Sequence, residues 1–246
     1  MKSDFHLLHL PVVDSTNSYL KAISEVQSFD EPVMVIADEQ TEGRGQWENK
    51  WHSKPNKNLL SSILIQEDIP IENSFYLSMI TALSLYNLLI DEVEDNLWIK
   101  WTNDLYYHDK KIAGILIDNT MKGDKIIRSI IGIGLNLNET NFPNELPNPV
   151  SLKQITGKSY DVENFGIKLY NKFQSLFFKF QQGFHHIIIN DYNRYLYKKN
   201  EWVKIHTKSS VEIVKILSVS PLGYLIIEKK TGEKKQFAYG EAKIII

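Results

Sequence analysis

Apolar and polar positions repeat along this chain with two different periods. Leu7 to Val13 and Val33 to Ala37 read as short strands, and between them Tyr19, Leu20, Ile23 and Val26 recur at the spacing of a helix face. Asp14-Ser15-Thr16-Asn17 stands just ahead of that stripe and supplies side chains suited to an N-cap. Glu39 to about Asn58 is polar and glycine-containing, hence a loop, and Leu59 to Gln66 is again a strand. Ser74 to Val93 predicts a long helix. Its most apolar part, Phe75 to Ile90, is punctuated by Ser78, Thr81, Ser84 and Asn87 and bracketed by Glu72 and Asp91, which suits a buried helix better than a membrane span. Trp98 to Asp118 predicts a hairpin of two apolar strands, and Ile126 to Leu137 a further strand. Asn138 to Ser151 holds three prolines and four asparagines and reads as a loop. Val162, Phe165, Leu169, Phe173, Leu176, Phe177 and Phe180 form one helical stripe, which is core packing, and a last helix is expected between His185 and Lys199.

From Trp202 the texture changes. Short strands at 203–205, 211–219, 224–228, 236–239 and 243–246 are separated by Ser209-Ser210, Pro221-Leu222-Gly223 and Thr231-Gly232-Glu233. That spacing predicts a small β-barrel or sandwich, with a boundary near Asn200: residues 1–199 as one domain, 200–246 as a second.

Composition narrows the chemistry. The 246 residues carry a net charge of -2, so no electrostatic footprint for nucleic acid is present. Cysteine is absent, which excludes thiolate catalysis, disulfides and cysteine-ligated metals. Met1-Lys2-Ser3-Asp4-Phe5-His6 has no signal-peptide core, and a cytoplasmic protein is expected. Only three of the 28 basic residues are arginines (Arg44, Arg128 and Arg194), so an Arg set between two glycines is chosen for its planar, bidentate donors.

Four constellations stand out. Gly43-Arg44-Gly45 lies within Gln40 to Trp51: the glycines bring backbone N–H groups towards a ligand, Arg44 can clamp a carboxylate or phosphate, and Trp47 and Trp51 offer flat faces. A mobile surface loop explains this motif alone equally well. Lys100-Trp101-Thr102-Asn103-Asp104 with Lys111 suits phosphate chemistry with Asp104 near Mg²⁺, against a plain solvated hairpin; Lys111 sits at the mouth of the buried run Ile112-Ala113-Gly114-Ile115-Leu116. Gly132, Gly134 and Asn136 share one strand face, a poor core but a good floor for a flat ligand, or else a tight strand crossing. Ser15, Thr16 and Asn17 cap a helix and can also meet a polar ligand group. The seven histidines show no metal-ligand spacing.

In this order, Asp-Ser-Thr-Asn, Gln-Thr-Glu-Gly-Arg-Gly, Lys-Trp-Thr-Asn-Asp-Leu with Lys-Ile-Ala-Gly-Ile-Leu, and Gly-Ile-Gly-Leu-Asn resemble the motifs of the biotin protein ligases, from about Val12 to Asn138. The resemblance implies an α/β (α+β) catalytic domain related to class II aminoacyl-tRNA synthetases, with a mixed sheet, and a C-terminal SH3-like barrel. It implies that biotin and ATP form biotinyl-5′-AMP, with Mg²⁺ as cofactor, and that a lysine of a biotin carboxyl carrier protein accepts the biotinyl group. By position Ser15, Thr16, Asn17 and Gln40 match contacts to the ureido ring, Gly43-Arg44-Gly45 the closing loop, and Gly114, Gly132 and Gly134 backbone lining the biotin pocket. Lys111 matches the lysine between carboxylate and α-phosphate, and Arg44 and Asp104 complete the catalytic set. Lys50, Trp51, Lys100, Asn103, Lys111 and Asn136 match the ATP side, with Asp104 also the candidate metal ligand.

Three departures qualify the match. Thr102 stands where the family commonly has proline, which leaves the turn less fixed. Gln46, Trp47, Glu48 and Asn49 replace a run of arginines found in some members, so phosphate grip is shifted to Arg44, Lys50 and Lys111. With the first motif at Asp14, a form without the N-terminal DNA-binding domain of some members is expected, hence no DNA or membrane partner. Family members are often dimers through the catalytic sheet. The rival readings are a lipoate ligase and a non-catalytic biotin-binding module.

Overall fold

The computed structural model describes residues 5–29, 31–46 and 49–245; Trp47, Glu48 and Ile246 lie outside them. The elements run β1 (His6–Val13), α1 (Thr16–Val26), β2 (Val33–Gln40), β3 (Leu59–Ile65), β4 (Ile69–Pro70), α2 (Ser74–Val93), β5 (Leu97–Lys100), β6 (Asp104–Tyr107), β7 (Lys110–Lys122) and β8 (Lys125–Leu135). They continue α3 (Leu152–Thr156), α4 (Val162–Gln181), α5 (His185–Arg194), β9 (Trp202–Thr207), β10 (Val211–Val219), β11 (Leu225–Lys229), β12 (Lys234–Phe237) and β13 (Ala242–Ile244).

The fold is mixed α/β. Its main sheet has the order β1-β2-β3-β8-β7-β6-β5, with β4 beside β8. β1 runs parallel to β2, and the other neighbours are antiparallel. β3, the run Leu-Leu-Ser-Ser-Ile-Leu-Ile, is buried throughout, as a central strand covered on both faces must be. Leu59 and Ile63 face α2 and α4 in the larger core, whereas Leu64 joins Leu20, Val33, Val35 and Ile130 beneath α1. α2 is apolar enough to resemble a membrane span. Its Leu77, Met79, Ile80, Leu83 and Leu85 are nevertheless buried, and the hydroxyls of Thr81 and Ser84 return to the carbonyls of Leu77 and Ile80 at 2.7 Å each. The two buried interruptions in its apolar run are therefore satisfied within the helix.

One local expectation is corrected, and two neighbouring segments gain detail. The hairpin from Trp98 to Asp118 is three strands, β5, β6 and β7, because Trp101-Thr102-Asn103 turns the chain before Asp104. The last helix, α5, lies within the expected span and ends at Arg194, where Tyr195 to Tyr197 leave it to pair with Ile99, covering the β5 edge of the sheet. A short helix, α3, follows the proline-rich loop, started by a capping box in which Ser151 and Gln154 exchange side-chain bonds. The C-terminal strands form a five-stranded antiparallel sheet, β12-β11-β10-β9-β13, where the SH3-like module was expected.

Candidate active site

The α1 face of the main sheet carries the site. Register places Lys100 opposite Asp104, Asp104 opposite Gly114, Gly114 opposite Gly134 and Gly134 opposite Leu60, one continuous row across five strands. Residues opposed in this way share a face, so two charged groups stand beside two bare glycines. Lys111 reaches the same spot, its Nζ 2.7 Å from Asp104 Oδ1. The start of β7 is held in place by the proline-rich loop: Lys111 N–H donates to the Asn148 carbonyl and Val150 N–H to the Lys111 carbonyl, each at 2.9 Å.

A hairpin covers the row. Gly45 N–H donates to the Asn49 carbonyl at 2.7 Å and Trp51 N–H to the Gly43 carbonyl at 2.9 Å, so Arg44 and Lys50 face each other as paired rungs. Trp47, expected to offer a stacking face, lies outside the described residues. The Trp51 indole rests on the glycines: a Cβ at Gly134 would stand 2.3 Å from its Cε2 and one at Gly114 3.0 Å from its Cζ3. Its Nε1 is buried without a hydrogen-bond partner. Gly132 lies under Asn17, whose Oδ1 a Cβ would meet at 2.4 Å. The glycine face is thus a floor for side chains of this chain, Asn17 at one end and Trp51 at the other.

At the Asn17 end lies a polar network, buried at Thr16, Asn17 and Ser62 and open at Gln40 and Asp118. Gln40 Oε1 accepts from Thr16 N–H at 2.8 Å and from Thr16 Oγ1 at 3.1 Å. The first turn of α1 is therefore capped from β2; Ser15 occupies the N-cap position but makes no side-chain cap bond, contrary to the reading of Asp14 to Asn17 as self-capping. With Oε1 engaged, the donor end Nε2 of Gln40 faces Gly43, 3.3 Å from where a Cβ would be. Ser62 Oγ lies 2.7 Å from Thr16 Oγ1 and 2.6 Å from Asn17 Oδ1, and Asn17 Nδ2 donates to Asp118 Oδ2 at 2.9 Å. Arg44 pairs with Asp118 at 3.7 Å. Sequence reasoning missed Ser62 and Asp118, although two serines inside an otherwise Leu/Ile strand were a visible signal.

The remaining expected residues are placed as follows. Lys100 is buried, its ammonium 4.9 Å from the Tyr106 ring centre, and burial pulls it down to about 8 against the opposing pull of Asp104. Asn103 donates through Nδ2 to the Ile115 carbonyl and accepts from Ile115 N–H through its own carbonyl. Asn136 is buried, and its Nδ2 donates to the Val150 carbonyl at 3.1 Å. Both asparagines hold backbone at the edge of the site. Lys50 is exposed on the hairpin.

The class follows from this arrangement: a mixed α/β domain with a charged, glycine-lined sheet face beneath a hairpin, followed by an antiparallel β module. The profile of the biotin/lipoate A/B protein ligase family matches residues 9–136, and the chain belongs to that family. The bifunctional ligase/repressor BirA of Bacillus subtilis is 31% identical over 159 residues, covering 63% of this chain and 49% of that protein. The biotin–[acetyl-CoA-carboxylase] ligase of Paracoccus denitrificans is 31% identical over 159 residues, 62% of this chain and 65% of that one. The chain spans about half the length of the first of these relatives. The biotin protein ligase of Aquifex aeolicus in complex with biotin and ATP superposes with a TM-score of 0.81 at 28% identity, covering 98% of both chains.

Proposed function

We propose that this protein uses ATP to activate biotin as biotinyl-5′-AMP and passes the biotinyl group to a lysine of a carrier domain. The observation that carries the reading is the Lys111–Asp104 pair, 2.7 Å apart, set in the row with Gly114 and Gly134. Pure ligand binding gives no reason to hold an ammonium beside a carboxylate over bare backbone. Adenylation does. The biotin carboxylate attacks the α-phosphate, pyrophosphate leaves, and two anions must approach, so a cation is needed where they meet. Lys111 supplies it from the sheet and Arg44 from the hairpin. In the second step the acceptor amine attacks the acyl carbon, the C–O bond to AMP breaks, and the amine sheds a proton. A closed hairpin keeps water off the mixed anhydride.

The ureido ring belongs at the Thr16–Gln40–Ser62 end, where the free Nε2 of Gln40 can donate to its carbonyl. A metal held by the protein does not fit Asp104 as it stands. Lys111 engages its Oδ1, and no group of three or more His, Cys, Asp or Glu side chains is arranged to hold an ion among the described residues. No step is therefore assigned to a protein-bound metal. A cytoplasmic enzyme, divided near Asn200 and self-associating through the main sheet, completes the reading.

The test is incubation of the full chain with Mg-ATP, a biotin carrier domain, and either biotin or lipoate. A mass gain of one biotinyl group on one carrier lysine is the expected result. Transfer of lipoyl alone would move the assignment to the other branch of the family. Absence of acid-dependent pyrophosphate release would leave only a binding module.

A further inference from the structure

Two bonds from outside the site meet at the turn between β5 and β6. The Tyr192 hydroxyl, on α5 and fully buried, donates to the Thr102 carbonyl at 3.2 Å. Trp101 Nε1 donates to the Gly223 carbonyl of the C-terminal sheet at 2.9 Å, and Gly223 is packed so closely on Phe75 that a Cβ there would stand 2.5 Å from its ring. Behind them Asn193 ties α5 to the same sheet, donating to the Val219 carbonyl at 2.9 Å and accepting from Val219 N–H at 2.6 Å. The next residues along the chain are Asn103, bound to Ile115, and Asp104, bound to Lys111. A turn without proline at position 102 is thus held from α5 and from the second sheet.

We infer that Tyr192 is a positioning residue for the Asp104–Lys111 pair, acting through the Thr102 carbonyl. The inference rests on the adenylation reading. Asp104 opens β6 two residues after that carbonyl, so rotation of the turn swings its carboxylate relative to β7. Lys111 has its backbone fixed by Asn148 and Val150, so its ammonium can follow only by changing side-chain rotamer, at a cost in the pair's geometry. The Tyr192 phenol is held far above its ordinary pKa, by burial first and by the Asp104 charge second, so it remains a neutral donor across the working range.

The experiment is steady-state pyrophosphate release by the full chain with biotin and Mg-ATP, for Tyr192→Phe alone and in an Asp104→Asn background. Tyr192→Phe is expected to lower kcat about three- to tenfold while the biotin KM moves less than about twofold, because misplacing a reacting group costs rate while the ureido end of the pocket is untouched. In the Asp104→Asn background the same substitution should have no further effect. Unchanged kcat, or an equal loss in both backgrounds, would overturn the inference, the second outcome marking general loosening. If Tyr192→Phe does not fold, Trp101→Phe removes the bond to Gly223 and carries the same expectation. A wild-type chain with no biotin-dependent release refutes the adenylation reading itself, a result separate from either outcome for Tyr192.

Discussion

Gly134→Ala is the sharpest probe of the hairpin's seat. The new methyl carbon would stand 2.3 Å from Trp51 Cε2 and 2.6 Å from Cζ2, where ordinary contact begins near 3.4 Å, so the indole or the strand must move by about an ångström. Forcing the overlap into a packed sheet costs about 1–3 kcal/mol. Releasing the indole loses about 2–3 kcal/mol of apolar burial, but it returns water to Nε1, which now has no partner. An orphaned buried donor costs about 1–3 kcal/mol, so the net cost of release lies between about -1 and 2 kcal/mol. Release is the cheaper route. Gly134→Ala should therefore free Trp51 while lowering Tm by no more than about 4–8 °C, taking about 2–4 °C per kcal/mol for a chain of this size. Acrylamide quenching of tryptophan fluorescence should rise relative to wild type, and this rise should vanish in a Trp51→Phe background. Labelled biotinyl-adenylate should dissociate faster, so that less label co-elutes with the protein on gel filtration. Unchanged quenching with unchanged retention would refute the argument, as would a much larger fall in Tm, which would mean that the sheet had yielded instead of the ring.

Other expectations are as direct. Lys111→Ala should slow adenylate formation about 10²–10³-fold, the range for one preorganised electrostatic donor, and near-normal pyrophosphate release would remove Lys111 from the reaction. Arg44→Gly loses the pair with Asp118 and should release free biotinyl-adenylate faster, read by labelled-biotin release. Lys100, held down at about 8 by burial, is charged in the folded protein below that pH and neutral above it, so apparent ATP affinity should fall as pH rises through about 8 and Lys100→Gln should flatten the profile. Between about 8 and the ordinary lysine value of 10.5 the unfolded chain binds the proton more tightly than the folded one, so this group makes stability rise with pH across that window, measurable by denaturant titration. Ser61, buried on β3 with an unpartnered hydroxyl, should tolerate alanine with stability unchanged or raised by about 1 kcal/mol, and a loss of more than that would reveal a partner for the hydroxyl.

What could be read before the structure was what local pattern encodes. The Leu/Ile-rich β3 and the Phe/Leu stripe of α4 announce their burial, and the turn-punctuated segment after Trp202 announces short strands. The rest depends on long-range register. Asp104, Gly114 and Gly134 form one row only because β6, β7 and β8 pair as they do, and a bulge between Leu105 and Tyr106 shifts the partner of Lys111. Gln40 caps α1 across 24 residues, whereas local reasoning looks for the cap in the preceding few. Asn103 and Asn136 were polar in the right places, but only coordinates show them bound to backbone. Tyr192 is one more apolar-stripe residue until its hydroxyl is seen at the Thr102 carbonyl.

The network of Thr16, Gln40, Ser62, Asn17 and Asp118 draws on α1, β2, β3 and β7, elements that adjoin only when the main sheet is complete. No fragment of the chain can present that surface, so a ligand bound across it recognises the native state alone. Occupancy then adds to global stability by mass action, about 2.7 kcal/mol at a hundred times the dissociation constant. On the proposed function, the unfolded fraction of the protein falls as free substrate rises, and scarcity of that substrate would reduce the amount of folded protein as well as the rate.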